Sequence, residues 1–284
     1  MHVDPAASLS SLDSQVARDY LCDALSVPQS IAPMPHICAK LAELTAHEET
    51  DSVQLVRLVQ SDPMVAGEIL RVANSAALRP RNAIASLQQA VSWLGVATVR
   101  NITVATVLHG EVFSAPGHEP ECEELWREAW LGGLWAKEIA RLRRKHVETA
   151  FLAGLMHRAG AALALKLFAR FERDGRTALD AQTFRNLVIE FEAPCGRLLM
   201  SNWCVPAEIQ EAASEWRSYR TSREIDLAST VNAAHLLAQH TLHPQLLGED
   251  IVLTNAVFEQ LGVFPDERAI VLERRDHVRQ VAGM

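Results

Sequence analysis

The stretch QSDPMVAGEILRVANSA, residues 60–76, determines how the first part of this chain folds. Asp62 followed by Pro63 is a strong helix start, because an N-cap carboxylate accepts backbone N–H groups and proline suits the first helical position. Four apolar residues then share one helical face: Val65, Ile69, Val72 and Ala76. The stretch therefore predicts an amphipathic helix that starts at Pro63 and buries this face.

Further signals for helices occur on both sides of this helix. Ser86 and Gln89 have the spacing of a capping box, and Gly95 has the position of a helix C′ residue. Residues 96–113 are apolar on most sides, which predicts a central buried helix. Upstream, Ile37, Leu41 and Leu44 form a helical stripe after two prolines.

The segment Ser114-Ala115-Pro116-Gly117-His118-Glu119-Pro120 interrupts the pattern and predicts a boundary. Beyond it we expect helices over residues 123–144, 147–170, 183–191, 194–202, 206–216, 226–239, 249–261 and 266–281. The prediction is an all-α fold: a loose tail over residues 1–16, an N-terminal helical subdomain over 17–115, and a second helical subdomain over 121–284. Its six tryptophans are expected to be mostly buried.

Composition excludes several function classes. Among 284 residues the formal net charge is −8, so the chain as a whole does not attract nucleic acid or anionic lipid. Residues 141–145 carry four basic side chains, which more often form a solvated helix end than a nucleic-acid contact. Five widely spaced cysteines without a C-x-x-C pair indicate free thiols and a cytoplasmic location.

Residues 150–169 are apolar enough to raise the question of a membrane helix. They include Arg158, whose charge is costly in a bilayer, so a buried core helix explains them better. The N-terminus lacks the basic and apolar regions of a signal peptide. We therefore expect no membrane partner.

Sequence motifs of phosphate-binding loops, serine-hydrolase elbows and zinc proteases are absent. His157 is the polar residue of most interest, because it lies in an apolar helical segment. Taken alone it is more often a core histidine than a metal ligand, and the adjacent Arg158 repels cations.

Several stretches, in order, resemble the signature of the HDOD family, an output domain related to HD metal-dependent phosphohydrolases. They are residues 60–76, 86–95, Val99-Arg100-Asn101, Leu125-Trp126-Arg127 and Ala150-Phe151-Leu152-Ala153-Gly154-Leu155-Met156-His157. The resemblance covers residues 25–240. It implies an HDOD-type helical fold, with an N-terminal subdomain packed on an HD-like subdomain, and a place in bacterial signal transduction.

The resemblance also implies where metal ligands would lie. HD enzymes use a first histidine, an adjacent His-Asp pair and a distant aspartate. In this chain the corresponding positions carry Glu128, His157 with Arg158, and His235. At most one of the four ligands is retained, which predicts a degenerate site without metal or other cofactor and without catalytic residues.

Glu128, His157 and His235 would form a two-histidine, one-carboxylate set if they converged. Arg158 would place a fixed positive charge beside them. We therefore expect Arg158 to pair with Glu128 in the space that a metal would take.

The other motif residues are expected to have structural roles. Asp62 and Pro63 start a helix, and Asn74 with Ser75 fixes the turn that follows it. Arg71 and Arg100 are expected to pair with carboxylates, Glu68 among them.

The sequence thus predicts a non-catalytic regulatory module that binds a protein partner or a small ligand, with two-component or cyclic-dinucleotide signalling proteins as partner candidates. The alternatives are a residual metal-dependent phosphohydrolase or phosphodiesterase on a nucleotide or cyclic dinucleotide, and DNA binding through residues 141–145.

Overall fold

The computed structural model of the chain describes residues 5–27, 33–45, 52–75, 78, 80, 83–175 and 179–284. Within these ranges every regular element is a helix, so the all-α prediction is confirmed. The α-helices are α1 Pro5–Ser26, α2 His36–Thr45, α3 Ser52–Gln60, α4 Pro63–Ala73, α5 Leu87–Leu94, α6 Val96–Val112, α7 Glu119–Leu142, α8 Val147–Met156, α9 Ala159–Arg173, α10 Ala181–Asn202, α11 Ala207–Ser214, α12 Ile225–Leu242, α13 Glu249–Leu253, α14 Ala256–Gln260, α15 Pro265–Glu273 and α16 Arg275–Ala282. A 3₁₀ helix, Trp216–Thr221, lies between α11 and α12.

Helix α4 begins as its sequence predicts. The Asp62 carboxylate accepts the backbone N–H groups of Met64 and Val65 at 3.0 and 3.2 Å, with proline at the first turn. At its other end Asn74 donates to the carbonyls of Leu70 and Ile84 and accepts the Ile84 N–H. These hydrogen bonds hold the segment after α4 against the end of the helix.

The buried side chains fall into two main clusters. The first is formed by α2 to α6. The second, larger cluster is formed by α1 and by α6 to α16. Helix α6 contributes to both, with Ile102 in the first cluster and Leu108 in the second. This helix therefore holds the two halves of the chain together.

The prediction of a loose tail over residues 1–16 is wrong for residues 5–16, the part of this segment that the structure describes. Residues from Pro5 onward belong to α1. Ala17 and Leu21 are fully buried in the second cluster, and Arg18 pairs with Glu190 of α10 at 2.7 Å. Helix α1 thus packs on the second half of the chain, whereas the sequence assigned residues 17–26 to the first subdomain.

Several helix bounds also differ from prediction. The expected helix over residues 147–170 is divided by a turn at His157 and Arg158. The two expected helices over 183–202 are one, because α10 continues through Pro194. The last two expected helices are each divided, into α13 with α14 and α15 with α16.

Two glycines, Gly154 and Gly160, allow the helices of the second cluster to approach closely. A methyl group on Gly154 of α8 would lie 2.5 Å from the Gly132 carbonyl oxygen of α7. One on Gly160 of α9 would overlap the Glu192 carbonyl oxygen and lie 2.7 Å from the Gly196 nitrogen of α10. The backbones at these crossings leave no room for a side chain.

Within the described part of the chain, one helical stretch, Val147–Arg173, has the length and composition to cross a membrane, and 89% of its apolar window is buried inside the fold. Helices α5 and α6 meet the same criteria only together, and they are bent by 113°.

We expect Gly160→Ala to lower the free energy of unfolding by about 1–3 kcal/mol, because the added methyl overpacks the α9–α10 crossing. Gly67→Ala is the matched control, since nothing lies within 4 Å of a methyl at that helical position. The control should be neutral or stabilising by up to about 1 kcal/mol. Urea denaturation measures both, and equal stability of the two variants would contradict the close crossing.

Candidate functional site

The centre of the second cluster holds a buried guanidinium. Arg158 lies in the turn between α8 and α9 and is only 9% exposed. Its Nε donates to Glu128 Oε2 of α7 at 2.6 Å, and its Nη1 donates to Glu192 Oε1 of α10. The predicted ion pair between Arg158 and Glu128 is therefore confirmed, and a second carboxylate joins it.

Each carboxylate has a further partner. Gln239 of α12 donates to Glu128 Oε1 at 2.5 Å. Arg217 in the 3₁₀ helix donates to Glu192 Oε2 at 2.9 Å. The two guanidinium groups and the two carboxylates balance in charge. We call these five residues, Glu128, Arg158, Glu192, Arg217 and Gln239, the central ion cluster.

Two histidines lie beside this cluster. His157 Nδ1 is 2.6 Å from the Gly154 carbonyl oxygen, which only accepts, so this nitrogen carries the proton. His157 Nε2 is then the acceptor for His235 Nδ1, at 3.0 Å. The convergence of His157 and His235 that the sequence left open is thus observed, as a hydrogen bond between two neutral rings.

Burial lowers the pKa of His157 well below its ordinary value, and the nearby Arg158 and Arg217 guanidinium groups add to this. The pKa of His235 is likewise well below the ordinary value, because of burial, then His157 and the same two arginines. For Arg158, burial opposes the charged form, but Glu192 and Glu128 outweigh it and raise the pKa. At neutral pH the arginine is charged and both histidines are neutral.

Trp216 closes one side of this centre. Its ring centroid lies 4.3 Å from that of His235 and 5.2 Å from that of His157. The Arg217 guanidinium carbon lies over the same ring at 4.1 Å. On another side, a methyl on Gly132 would lie 2.7 Å from His157 Cε1, so glycine there makes room for the imidazole.

As arranged, these residues do not fit a metal ion. Both Glu128 oxygens accept hydrogen bonds, and both nitrogens of His157 are engaged. Among the described residues no group of three or more His, Cys, Asp or Glu side chains is placed to hold a metal. A divalent ion would have to displace or repel the Arg158 guanidinium, which lies between the carboxylates.

The other residues singled out in the sequence lie elsewhere. Arg71 pairs with Glu68 through two hydrogen bonds of 2.8 and 2.6 Å, as expected. Arg100 pairs with Glu148 at 3.5 Å. Asp62, Pro63, Asn74 and Ser75 lie at the two ends of α4, and the hydrogen bonds of Asp62, Asn74 and Ser75 are made within α4 and the segments next to it.

The basic segment 141–145 is partly neutralised within the fold. Arg141 pairs with Glu138, and both Arg143 and Lys145 pair with Asp226. Arg143 also donates to the Leu261 carbonyl at 2.9 Å. Arg143 and Lys145 thus connect the segment after α7 to α12, whereas the Arg141 pair lies within α7.

Glu192, Gln239, Trp216 and Arg217 were not predicted as site residues. Trp216 was expected only as a core residue. Glu192 did give a signal, because it lies one turn before Gly196 and two turns before Met200, on the buried side of α10. A carboxylate in such a stripe requires a cationic partner.

The structure thus defines an all-helical protein with a buried polar centre, to which α7, the turn between α8 and α9, α10, the 3₁₀ helix and α12 contribute. The sequence profile of the HDOD domain matches residues 31–218, about two thirds of the chain. The chain therefore belongs to the HDOD family.

Solved structures agree on the fold. A candidate metal-dependent phosphohydrolase of Shewanella amazonensis SB2B has a TM-score of 0.72 at 19% identity, covering 96% of this chain and 99% of its own. An HDOD domain protein of unknown function from Geobacter sulfurreducens has a TM-score of 0.69 at 16% identity, with coverages of 96% and 97%. A candidate signal transduction protein of Marinobacter aquaeolei VT8 has a TM-score of 0.66 at 21% identity, covering 95% of this chain and 66% of its own.

An uncharacterised protein of Treponema pallidum (strain Nichols) is 25% identical over 142 residues. The match covers 48% of this chain and 27% of that relative. At identities below 25%, the similarity to the solved structures establishes the fold alone, an HD/HDOD-like helical fold related to that of metal-dependent phosphohydrolases.

We expect Arg158→Met to lower the free energy of unfolding by about 3–5 kcal/mol, since it leaves two buried carboxylates without their shared cation. The triple variant Arg158→Met, Glu128→Gln, Glu192→Gln should recover much of this loss. Arg71→Met is the control, because it breaks an exposed pair worth less than about 1 kcal/mol. Urea denaturation compares them, and an Arg158→Met loss no greater than that of the control would contradict a structural role for the cluster.

The histidine pair predicts a loss of stability in mild acid. Both pKa values are depressed in the folded state, so below the unfolded value of about 6.5 the unfolded chain binds protons that the folded chain does not. Stability is then fully present above that pH and falls as the pH is lowered.

Each histidine contributes a slope of up to about 1.4 kcal/mol per pH unit. His235→Asn should reduce the slope between pH 6.5 and 5.5, and the exposed His277→Gln should leave it unchanged. Urea denaturation at several pH values measures it. An unchanged slope in His235→Asn would exclude this pair as the source.

Proposed function

We propose that this chain is a non-catalytic regulatory module of bacterial signal transduction, which acts in the cytoplasm by binding a protein partner. Its HD-like centre is degenerate and serves structure, without metal or cofactor. Proteins of two-component or cyclic-dinucleotide signalling are the partner candidates. Membership of the HDOD family supports the signalling role, and the chemistry of the centre supports the absence of catalysis.

The observation that carries the proposal is the Arg158 guanidinium between Glu128 and Glu192. Two unit charges 4 Å apart interact by about 4 kcal/mol at an effective dielectric constant of 20, and a divalent ion doubles this. A metal near Arg158 would therefore meet a repulsion of several kcal/mol. It would also lose the attraction of carboxylates that the arginine already neutralises.

The histidines support the same conclusion. A general acid or base that works near neutral pH has a pKa close to that pH. Burial instead lowers the pKa values of His157 and His235 well below their ordinary value. His157 Nε2, which would face a metal, accepts a hydrogen bond from His235 instead. The pair is suited to hold α8 against α12.

The alternative is a metal-dependent phosphohydrolase or phosphodiesterase, and metal analysis combined with turnover distinguishes it. The purified chain, dialysed against Mn²⁺ and then against buffer, should hold far less than one metal per chain by mass spectrometry. Hydrolysis of bis-p-nitrophenyl phosphate and of a cyclic dinucleotide should not exceed the protein-free rate. Stoichiometric metal together with turnover, both lost in His157→Ala and kept in His277→Ala, would contradict the proposal.

The partner half of the proposal has its own test. Affinity capture from the native host, with folded chain as bait, should enrich the same signalling protein in repeated preparations, and a heat-unfolded bait is the control. The interaction must then be reproduced with the purified partner. Absence of any partner specific to the folded bait would contradict this half and leave the metal test unaffected.

A further inference from the structure

A cleft of about 330 Å³ lies where the two halves of the chain meet. Its lining residues come mostly from α2, α6, α8, α11 and the turn before α11. Its apolar lining comes from both halves and includes Leu41, Val104, Leu152, Met156, Trp203 and Ile209. Leu41 belongs to the first cluster and Trp203 to the second, so the cleft is a gap that the two cores leave between them.

One wall of this cleft is polar. Asn101 is buried and donates to Glu148 Oε2 at 2.5 Å, and Arg100 Nη2 reaches the same oxygen at 3.5 Å, the outer limit of a hydrogen bond. Thr149 adds a hydroxyl group. Because Arg100 and Glu148 offset each other in charge, this wall favours a neutral group that hydrogen-bonds over an ion.

The size and lining of the cleft indicate what kind of molecule it can hold. Small-molecule sites range over roughly 300–1,000 Å³, and their walls are mostly apolar with a few placed polar groups. The cleft lies at the low end of this range and has walls of this kind, so it suits a small molecule.

We infer that this cleft binds a small, uncharged, largely apolar molecule with one hydrogen-bonding end, its apolar body between α6, α8 and α11 and its polar end at Asn101, Glu148 and Thr149. Exposed Cys204, Pro206 and Glu208 mark the mouth.

The position of the cleft connects it to the central ion cluster. Met156, which lines the cleft, directly precedes His157 in the chain. Ile209, another lining residue, packs in a small core with Trp216, whose ring contacts both histidines. A bound molecule would contact α2 and α6 together with α8 and α11, the helices that carry Met156 and Ile209. The inference deepens the proposed regulatory function and rests on it for its biological meaning.

The probe for this site is N-phenyl-1-naphthylamine, which is neutral, aromatic and carries one N–H group. We expect saturable binding of one probe per chain, measured by its fluorescence increase. Val205→Trp, which fills the cleft from the α11 side, should weaken binding at least tenfold. Thr149→Phe fills it from α8 and serves if the first variant folds poorly. Ile189→Trp adds an aromatic ring at an exposed site on α10 and should stay within twofold of the original chain.

A second measurement locates the probe. The chain has two exposed thiols, Cys204 at the mouth and Cys22 on α1. Saturating probe should slow iodoacetamide alkylation of Cys204 at least threefold and leave Cys22 unchanged, as followed by peptide mass spectrometry. Lack of saturable binding, tight binding by folded cleft-filling variants, or equal effects on both thiols would overturn the inference. None of these results depends on metal or turnover, so this inference and the proposed function can fail separately.

Discussion

The structure depends on neutralising one guanidinium in the interior. A charge removed from water without a partner costs several kcal/mol, so Arg158 can remain charged only because Glu128 and Glu192 reach it from two different helices. Each carboxylate then needs its own second partner, which Gln239 and Arg217 provide. Through this requirement the turn after α8 is linked to α7, α10, α12 and the 3₁₀ helix.

The helices that carry the central ion cluster also approach one another closely. Gly132 and Gly154 bring α7 against α8, and Gly160 brings α9 against α10. The break between α8 and α9 places His157 and Arg158 in a turn, where both side chains face the centre. The close crossings of these helices and the ion pairs of Arg158 therefore occur in the same part of the structure.

Local signals in the sequence were sufficient for part of this structure. Asp62, Pro63 and Asn74 act on backbone groups within ten residues, so their roles followed from spacing alone. The helical fold class followed from periodicity, and the pairing of Arg158 with Glu128 followed from opposite charges at two positions that the family resemblance brought together.

The features that were missed depend on tertiary contacts. The serine-rich start of α1 gives little apolar periodicity, and its helix is held by Ala17, Leu21 and the Arg18–Glu190 pair. Pro194 predicts a break, but it removes only one donor from a 22-residue helix that is packed along its length. Glu192 was overlooked because the predicted break separated it from the buried stripe to which it belongs. Without that stripe a single glutamate looks like an ordinary surface residue.

A centre made of ion pairs differs physically from a metal centre. A metal site gains its stability only when the ion is bound, and then depends on the supply of that ion. The pairs of the central ion cluster are part of the chain itself, so they link the turn after α8 to α7, α10 and α12 without a bound ion. The inferred ligand site lies instead between the two cores, in the cleft that residues of α2, α6, α8 and α11 line. Under the proposed function, a molecule bound in this cleft would change contacts between the two cores without disturbing the ion pairs that stabilise the second one.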